Sequence, residues 1–337
     1  MSTMRVNKHI IIVGAGASGL AMARELRNHN IEDFIMLERK NNFGGLWNYE
    51  STTGEDIPID GITWDQVGAK PVYDKLTTNL SQKMMGFHDF PYEEGIPDVP
   101  LMPRTAVTNY FIQFAKHHQL DEYTKFNTIV QKCEKDDGAD NWYVSTLSKD
   151  GRKTEYLCKY LVVCNGHHSQ PILPKLNGMQ NFPNRIMHSC SFDRSEEFNG
   201  KNILVIGGSV SAGDLAVLML REKPNKVFMC RRKKPDTMFR KITMGSVNAA
   251  IKRGAKMYNS MPLTLKSNGH VIFEKGIEEQ IDVIICATGY SYKFDFLNVH
   301  KLDLLEDGEF YGYNVKHLYE GIFYSKDPSL SFLGIHK

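Results

Sequence analysis

Gly14-Ala15-Gly16-Ala17-Ser18-Gly19 constrains this chain more than any other stretch. It follows the apolar run His9 to Val13 and precedes the helix-like stretch Leu20 to Arg27. Glycines placed between a buried strand and a helix make a tight turn that carries the helix start back over the strand end. A pyrophosphate bound there meets free N–H groups and the positive end of the helix dipole. A second stretch has the same layout. Gly207-Gly208-Ser209-Val210-Ser211-Ala212 follows Asn202 to Ile206 and precedes Leu215 to Leu220. One such turn is often only structural. Two of them in 337 residues predict two bound dinucleotides and electron transfer between them.

The flanking residues distinguish the two turns. After the first, the apolar run Phe34 to Leu37 ends in Glu38, about 20 residues past the glycines, where a carboxylate accepts ribose hydroxyls. The first set of nucleotide-binding residues is therefore Gly14, Ala15, Gly16, Ala17, Ser18, Gly19 and Glu38. The second unit lacks that acid. Its next strand, Lys226 to Cys230, ends in Arg231-Arg232-Lys233-Lys234. A carboxylate repels a 2′-phosphate, whereas a guanidinium fork binds it bidentately, so NADPH is expected over NADH, read by Arg231 or Arg232. A solvated basic loop is the commoner use of such a run, and its place after the second strand favours the phosphate contact. Ser209 replaces the middle glycine and offers a hydroxyl as phosphate donor. Gly207, Ser209, Ser211, Ala212, Gly213 and Asp214 border the expected pyrophosphate position.

Composition narrows the class of function. Net charge is +2, so no bulk attraction to nucleic acid or membrane is implied. No window of about 20 apolar residues exists, which predicts no transmembrane segment. Six cysteines are present and none forms Cys-x-x-Cys, so a cytoplasmic, reduced setting is expected. Disulfide reductases also join two dinucleotide domains, but they need a paired thiol beside the flavin, and none is found. His117-His118 and His167-His168 have no third ligand nearby, so no metal site is expected.

Along the chain, Thr108 to His118 reads as an amphipathic helix burying Tyr110, Phe111, Phe114 and Ala115. Thr128 to Lys132, Trp142 to Leu147, Tyr160 to Cys164 and Val283 to Ala287 read as strands. The stretch from 61 to about 125 opens irregularly, with prolines at 71, 91, 97, 100 and 103. No long linker separates the two nucleotide units. The expected fold is α/β, with two Rossmann-like three-layer domains and the second inserted into the first. The boundaries are 1–168, 169–284 and 285–337.

At this point the residues carry a family resemblance. The chain resembles the flavin-containing monooxygenases, which oxygenate soft nitrogen and sulfur atoms. The matching pieces are the first glycine turn, Gly44-Gly45-Leu46-Trp47, Thr78-Asn79 followed by Phe87-His88-Asp89-Phe90-Pro91, Asn165-Gly166-His167, the second glycine turn, and Ala287-Thr288-Gly289-Tyr290. In style it is similar to the insect pyrrolizidine-alkaloid N-oxygenases. The resemblance implies FAD at the first turn and NADPH at the second. It implies that reduced flavin adds O2 at C4a, and that a nucleophilic amine or sulfide takes the distal oxygen of the hydroperoxide. Asn79 is the implied catalytic residue, because a carboxamide donates and accepts hydrogen bonds without an acidic proton. Leu46, Trp47, Thr78 and Leu80 are implied flavin neighbours. Asn165-Gly166-His167 is the implied crossover between domains. The partners are then a small-molecule amine or sulfide and O2. A homo-oligomer stays open.

The pattern departs from the family in two places. The fingerprint between the domains reads Phe182-Pro183-Asn184-Arg185-Ile186-Met187-His188-Ser189-Cys190-Ser191-Phe192, with Asn184 where the family has glycine. Asn tolerates left-handed geometry, so a turn is expected to survive there. His188 is expected to pack rather than react. Leu318 to Gly334 resembles a segment that family members continue for several tens of residues, whereas this sequence stops at Lys337. The return to the FAD domain over 285–337 is therefore expected to be incomplete, with weaker flavin retention. Two alternatives remain open: an NADPH oxidase-like flavoprotein releasing H2O2, and an inactive nucleotide-binding module.

Overall fold

Ile10 to Val13 is buried on both faces, so its strand needs a partner on each side. A computed structural model describes residues 4–50, 71–92, 101–135, 138–168, 170–232, 245–305 and 314–335. Lys233, Lys234, Pro97, Pro100 and residues 51–70 lie outside the described residues. In chain order the main elements begin with β1 (Met4–Val13), α1 (Ala17–Asn28), β2 (Phe34–Leu37) and α2 (Arg104–His117). Then come β3 (Thr124–Lys125), β4 (Thr128–Glu134), β5 (Trp142–Ser148) and β6 (Lys153–Val163). Next are β7 (Arg185–His188), β8 (Asn202–Ile206), α3 (Val210–Arg221), β9 (Lys226–Cys230) and α4 (Gly245–Lys252). The chain continues with β10 (Lys256–Tyr258) and β11 (Val283–Cys286), and ends with β12 (Leu318–Tyr319), β13 (Phe323–Tyr324) and β14 (Leu330–Phe332).

These elements fall into two units. One draws its described residues from Met1–Glu50, Lys75–Ser169 and Ser291–Lys337; the other draws on Ser51–Asp74 and Gln170–Tyr290. In the first unit the sheet order is β12-β13-β14-β6-β1-β2-β3, with β5 on β6 and β4 on β5. β14, β6, β1, β2 and β3 run parallel. The register pairs Val13 with both Leu37 and Val163, and Val163 with Phe332. Four strands therefore end on one level and deliver Gly14, Glu38, Cys164 and Leu333 to the same edge.

Alternation along β1 divides the core between two faces. Ile10 and Ile12 pack with Leu20 and Ala23 of α1 and with Phe111 and Phe114 of α2. Ile11 and Val13 pack with Trp142, Val144, Leu161 and Phe332, and with Tyr292 and Phe294. The third layer of this unit is thus strand and loop rather than helix. The buried face of α2 is Val107, Tyr110, Phe111, Phe114 and Ala115, the face that the apolar spacing predicts.

The second unit is built on a five-stranded sheet, order β10-β9-β8-β11-β7, all parallel. The order reverses beside β8, which places the turn after β8 at the switch point of the sheet. A three-stranded antiparallel sheet (Thr264–Leu265, His270–Ile272 and Glu278–Gln280) adds Leu265 and Val271 to this core, with Phe273 just after the second strand. Two expected boundaries move. β11 pairs with β8 and β7 along its whole length, so a border at 284/285 would cut a strand; the second unit runs on to Tyr290. Val72 to Asp74 also belongs to the second unit rather than to a continuous 1–168, because Tyr73 packs edge-on against Phe192 and Asp74 N–H donates to Asp193 O at 3.3 Å.

Gly213 marks where α3 touches α4. A Cβ there would lie 2.4 Å from Val247 N. Gly213→Ala is expected to lower stability by about 1–3 kcal/mol, because packed backbone has to move. Ser211→Ala, on the exposed side of the same turn, is expected to be neutral. Thermal unfolding of both variants checks this.

Candidate dinucleotide sites

The first turn is held by backbone contact. Gly14 has φ +105, and a Cβ on it would lie 2.6 Å from Cys164 O. A Cβ on Gly19 would lie 2.0 Å from Gly14 O, so the start of α1 rests directly on the turn. Gly16 is the N-cap of α1 and makes no side-chain cap bond, which leaves the first-turn N–H groups without a protein cap. Ala15 is buried, while Ala17 is exposed and Ser18 half-buried. Glu38 is 5% exposed. One carboxylate oxygen accepts from Ala15 N–H at 2.7 Å and the other from Lys40 N–H at 2.9 Å. Each oxygen keeps a further acceptor site, so the carboxylate both shapes the turn and fits a ribose.

The glycines of the Gly44-Gly45-Leu46-Trp47 turn, absent from the expected binding set although Leu46 and Trp47 are in it, lie against the first turn. Gly44 N–H donates to Ala15 O at 3.1 Å, and a Cβ on Gly45 would lie 2.8 Å from Gly16 Cα. Lys40 Nζ donates to Gly45 O at 3.0 Å, and Thr108 Oγ1 donates to Trp47 O at 2.6 Å. Leu46 is exposed, and Trp47 is partly buried against the α1–α2 core. The adjacent glycines are the sequence signal for this close approach. Gly334 is another addition: a Cβ on it would lie 2.1 Å from Ser18 Oγ, and His167 Nδ1 lies 3.2 Å from Gly334 O. The residues after β14 thus border the start of α1.

Thr78 is buried and braces a short turn. Its hydroxyl donates to Leu80 O at 2.8 Å and accepts from Met102 N–H at 2.9 Å. Asn79 and Leu80 are exposed as a result, and the Asn79 carboxamide has no side-chain hydrogen bond among the described residues. Thr78 is therefore a brace, whereas Asn79 is presented outward.

The second turn repeats the first in backbone terms. A Cβ on Gly207 would lie 2.4 Å from Ala287 O and 3.1 Å from the Cβ of Ala212, which is buried beneath it. Ser209 is the N-cap of α3 without a side-chain cap bond, and Ser209 and Ser211 are exposed. Gly213 faces α4 instead of the turn. Asp214 is half-buried and hydrogen-bonded to Ser246; burial pushes its carboxyl above the usual range. Arg231 leaves the end of β9 beside this turn, while Arg232 is exposed. Both turns combine an uncapped helix start, backbone with no room for a Cβ, and a charged residue at the end of the next strand. That donor set fits the pyrophosphate and ribose of a dinucleotide.

The fingerprint segment has a packing role. Asn184 does not take a positive φ, so the expected left-handed turn is absent; its carboxamide donates to Ile281 O at 2.7 Å instead. His188 is buried, with Nε2 3.1 Å from Gly289 O and Nδ1 accepting Cys190 N–H at 3.2 Å. Those partners assign the neutral Nε2–H tautomer, and burial pushes the pKa down to about 4. Asn165 donates to Lys293 O at 2.9 Å within the first unit.

All six cysteines are buried and free. Burial raises the thiols of Cys133, Cys158, Cys164, Cys230 and Cys286, the last to about 12, which makes them poor redox nucleophiles. No group of His, Cys, Asp and Glu among the described residues could hold a metal ion. None of the described helices is long and apolar enough to cross a membrane. A cavity of about 420 Å³ lies at the amino ends of β9 and β10, lined by Lys223, Lys226, Arg253 and Glu279 among others. It is at the opposite edge of the sheet from the glycine turn, and its cations complement the C-terminal ends of α3 and α4.

Two sheets, each with a core of parallel strands and a glycine turn of dinucleotide type at its carboxyl edge, point to a two-dinucleotide oxidoreductase of the α/β class. Residues 7–252 match the Flavin-binding monooxygenase-like family, and the chain belongs to it. Its members use FAD and NADPH with O2, and are flavin-dependent monooxygenases. The chain is 31% identical to flavin-containing monooxygenase FMO GS-OX5 of Arabidopsis thaliana, over 98% of this chain and 70% of that protein. It is 29% identical to the trimethylamine monooxygenase of Methylocella silvestris, over 97% of this chain and 69% of that protein. Its fold matches the S-allyl-L-cysteine S-oxygenase of Allium sativum with a TM-score of 0.79 and 29% identity, covering 98% of this chain and 72% of that one.

His188 makes stability depend on pH. The folded pKa of about 4 lies below the ordinary 6.5, so the folded state binds fewer protons between those values. The contribution is complete above 6.5 and is lost as pH falls towards 4. His188→Gln is expected to flatten that part of the curve of unfolding temperature against pH.

Proposed function

We propose that this chain is an NADPH- and FAD-dependent oxygenase of soft nitrogen or sulfur nucleophiles. The observation that carries the reading is the pair of dinucleotide turns with opposite charges beside them: Glu38 pinned at one and Arg231 at the other. A carboxylate suits ribose hydroxyls and a guanidinium suits a 2′-phosphate. FAD therefore belongs at Gly14 to Gly19 and NADPH at Gly207 to Asp214. The two relatives named for their substrates act on a sulfide sulfur and on an amine, which supports the substrate class.

The chain's own residues would position, shield and hydrogen-bond. When bound, FAD and NADPH supply the hydride acceptor, the hydride and the ring that activates O2. Uncapped N–H groups at the starts of α1 and α3 would take the two pyrophosphates. Glu38, oriented by the Ala15 and Lys40 N–H groups, would accept from ribose. Leu46 and Trp47 would lie along the flavin and exclude water. Asn79, pushed outward by the Thr78 brace, would hydrogen-bond the oxygen being transferred. Six free buried thiols fit a reducing compartment such as the cytoplasm.

Purified protein supplied with FAD, NADPH and O2 tests the reading against a tertiary amine and a sulfide. Oxygenated product matching NADPH consumed is the expected result. H2O2 without product would mean an oxidase-like flavoprotein, and nucleotide binding without turnover a binding module. Asn79→Asp is expected to raise peroxide relative to product, because an acidic side chain hastens peroxide loss. Arg231→Ala is expected to raise KM for NADPH about tenfold or more while leaving NADH nearly unchanged.

A further inference from the structure

Arg231 is gripped from the neighbouring strand. Cys230 and Tyr258 are register partners in the parallel pair β9–β10, so Arg231 and Asn259 leave the sheet side by side. Arg231 N–H donates to Tyr258 O at 3.2 Å, which extends the ladder one step beyond the strands. The side chains then meet: Arg231 Nε donates to Asn259 Oδ1 at 2.9 Å. The stem of Arg231 also lies across the second glycine turn. A Cβ on Gly208 would lie 2.9 Å from Arg231 Cβ and 3.0 Å from Arg231 Cδ. Gly208 therefore clears the space that the arginine stem occupies.

We propose that Asn259 is a specificity-determining residue for NADPH, acting by holding the Arg231 guanidinium through its Nε edge. The proposal rests on the reading of Arg231 as the 2′-phosphate contact. With the Nε edge on Asn259, a bound phosphate is met by the Nη1 and Nη2 end of the fork. Holding the plane in advance reduces the side-chain entropy that a long arginine loses on binding. The chemistry of the acceptor matters too. A carboxylate at 259 would grip Nε as well, but it would set a negative charge beside the incoming phosphate. The neutral carboxamide orients the guanidinium without adding a negative charge of its own beside the ligand.

The test compares 2′,5′-ADP with 5′-AMP, which differ only by the 2′-phosphate. Both are titrated into the full chain as the unaltered protein, Asn259→Ala, Arg231→Ala and the double variant. Loss of one hydrogen bond predicts that Asn259→Ala weakens 2′,5′-ADP about two- to tenfold and leaves 5′-AMP unchanged. In the Arg231→Ala background the second substitution is expected to add nothing, since its only route of action is gone. Asn259 is exposed, so unchanged 5′-AMP binding also reports an intact fold. Equal weakening of both ligands, or the same loss with and without Arg231, overturns the proposal. If Arg231→Ala itself fails to separate the ligands, the 2′-phosphate reading falls and takes the proposal with it. If Arg231→Ala separates them and Asn259→Ala does not, only the role of Asn259 falls.

Discussion

Backbone pressed against backbone at the carboxyl edge of the first sheet is the constraint on which this structure depends. Gly19 rests on Gly14 O, Gly14 on Cys164 O, and Gly45 on Gly16 Cα, each at a separation that a Cβ would make impossible. That contact aims the start of α1 at the strand ends with no side chain between. The common register of Val13, Leu37, Val163 and Phe332 brings the next residues of four strands to the same level. Glu38 then closes the turn through the Ala15 N–H. On the proposed reading the anion site is a by-product of this packing, because a helix start with no side-chain cap keeps its N–H groups for a ligand.

The second unit uses the same backbone device and changes the charge beside it. Gly207 meets Ala287 O as Gly14 meets Cys164 O, and Ser209 leaves α3 uncapped as Gly16 leaves α1. What differs is the residue after the second strand of each unit: a carboxylate held by two backbone N–H groups at one, a guanidinium held by a neighbouring carboxamide at the other. On the proposed reading, backbone geometry makes each dinucleotide site and one charged side chain per site gives it its preference. The same separation explains why the cation-lined cavity at the far edge of the second sheet is a poor nucleotide site. There α3 and α4 end instead of starting, so the cavity is offered no free helix N–H groups.

The elements that read most clearly in the sequence were those buried on both faces. Phe34 to Leu37, Asn202 to Ile206 and Lys226 to Cys230 form strands with those same bounds, since a continuous apolar run has few alternatives inside a parallel sheet. The third layer of the first unit was not legible. Antiparallel strands and the loop from Tyr292 to Leu304 cover a face that an α/β pattern assigns to helices, and that depends on contacts distant in sequence. Asn184 shows the limit of reasoning by substitution. A residue tolerant of left-handed geometry stands where the family has glycine, yet it adopts an ordinary φ and spends its carboxamide on Ile281 O.

From the sequence alone came the two turns, the charges that distinguish them and the family they imply. These are local: glycine spacing, apolar runs and a residue at the end of a strand all lie within a few positions of one another. The tertiary structure decided which residues share a site. Gly45 lies on Gly16, Gly334 beside Ser18 and Asn259 beside Arg231 because parallel strands align their ends regardless of distance along the chain. Gly213 shows the converse: adjacent to the turn in sequence, it turns away from it to admit α4. Sequence specifies each strand and turn through its own burial and sterics, whereas the register between strands selects the neighbours that complete a site.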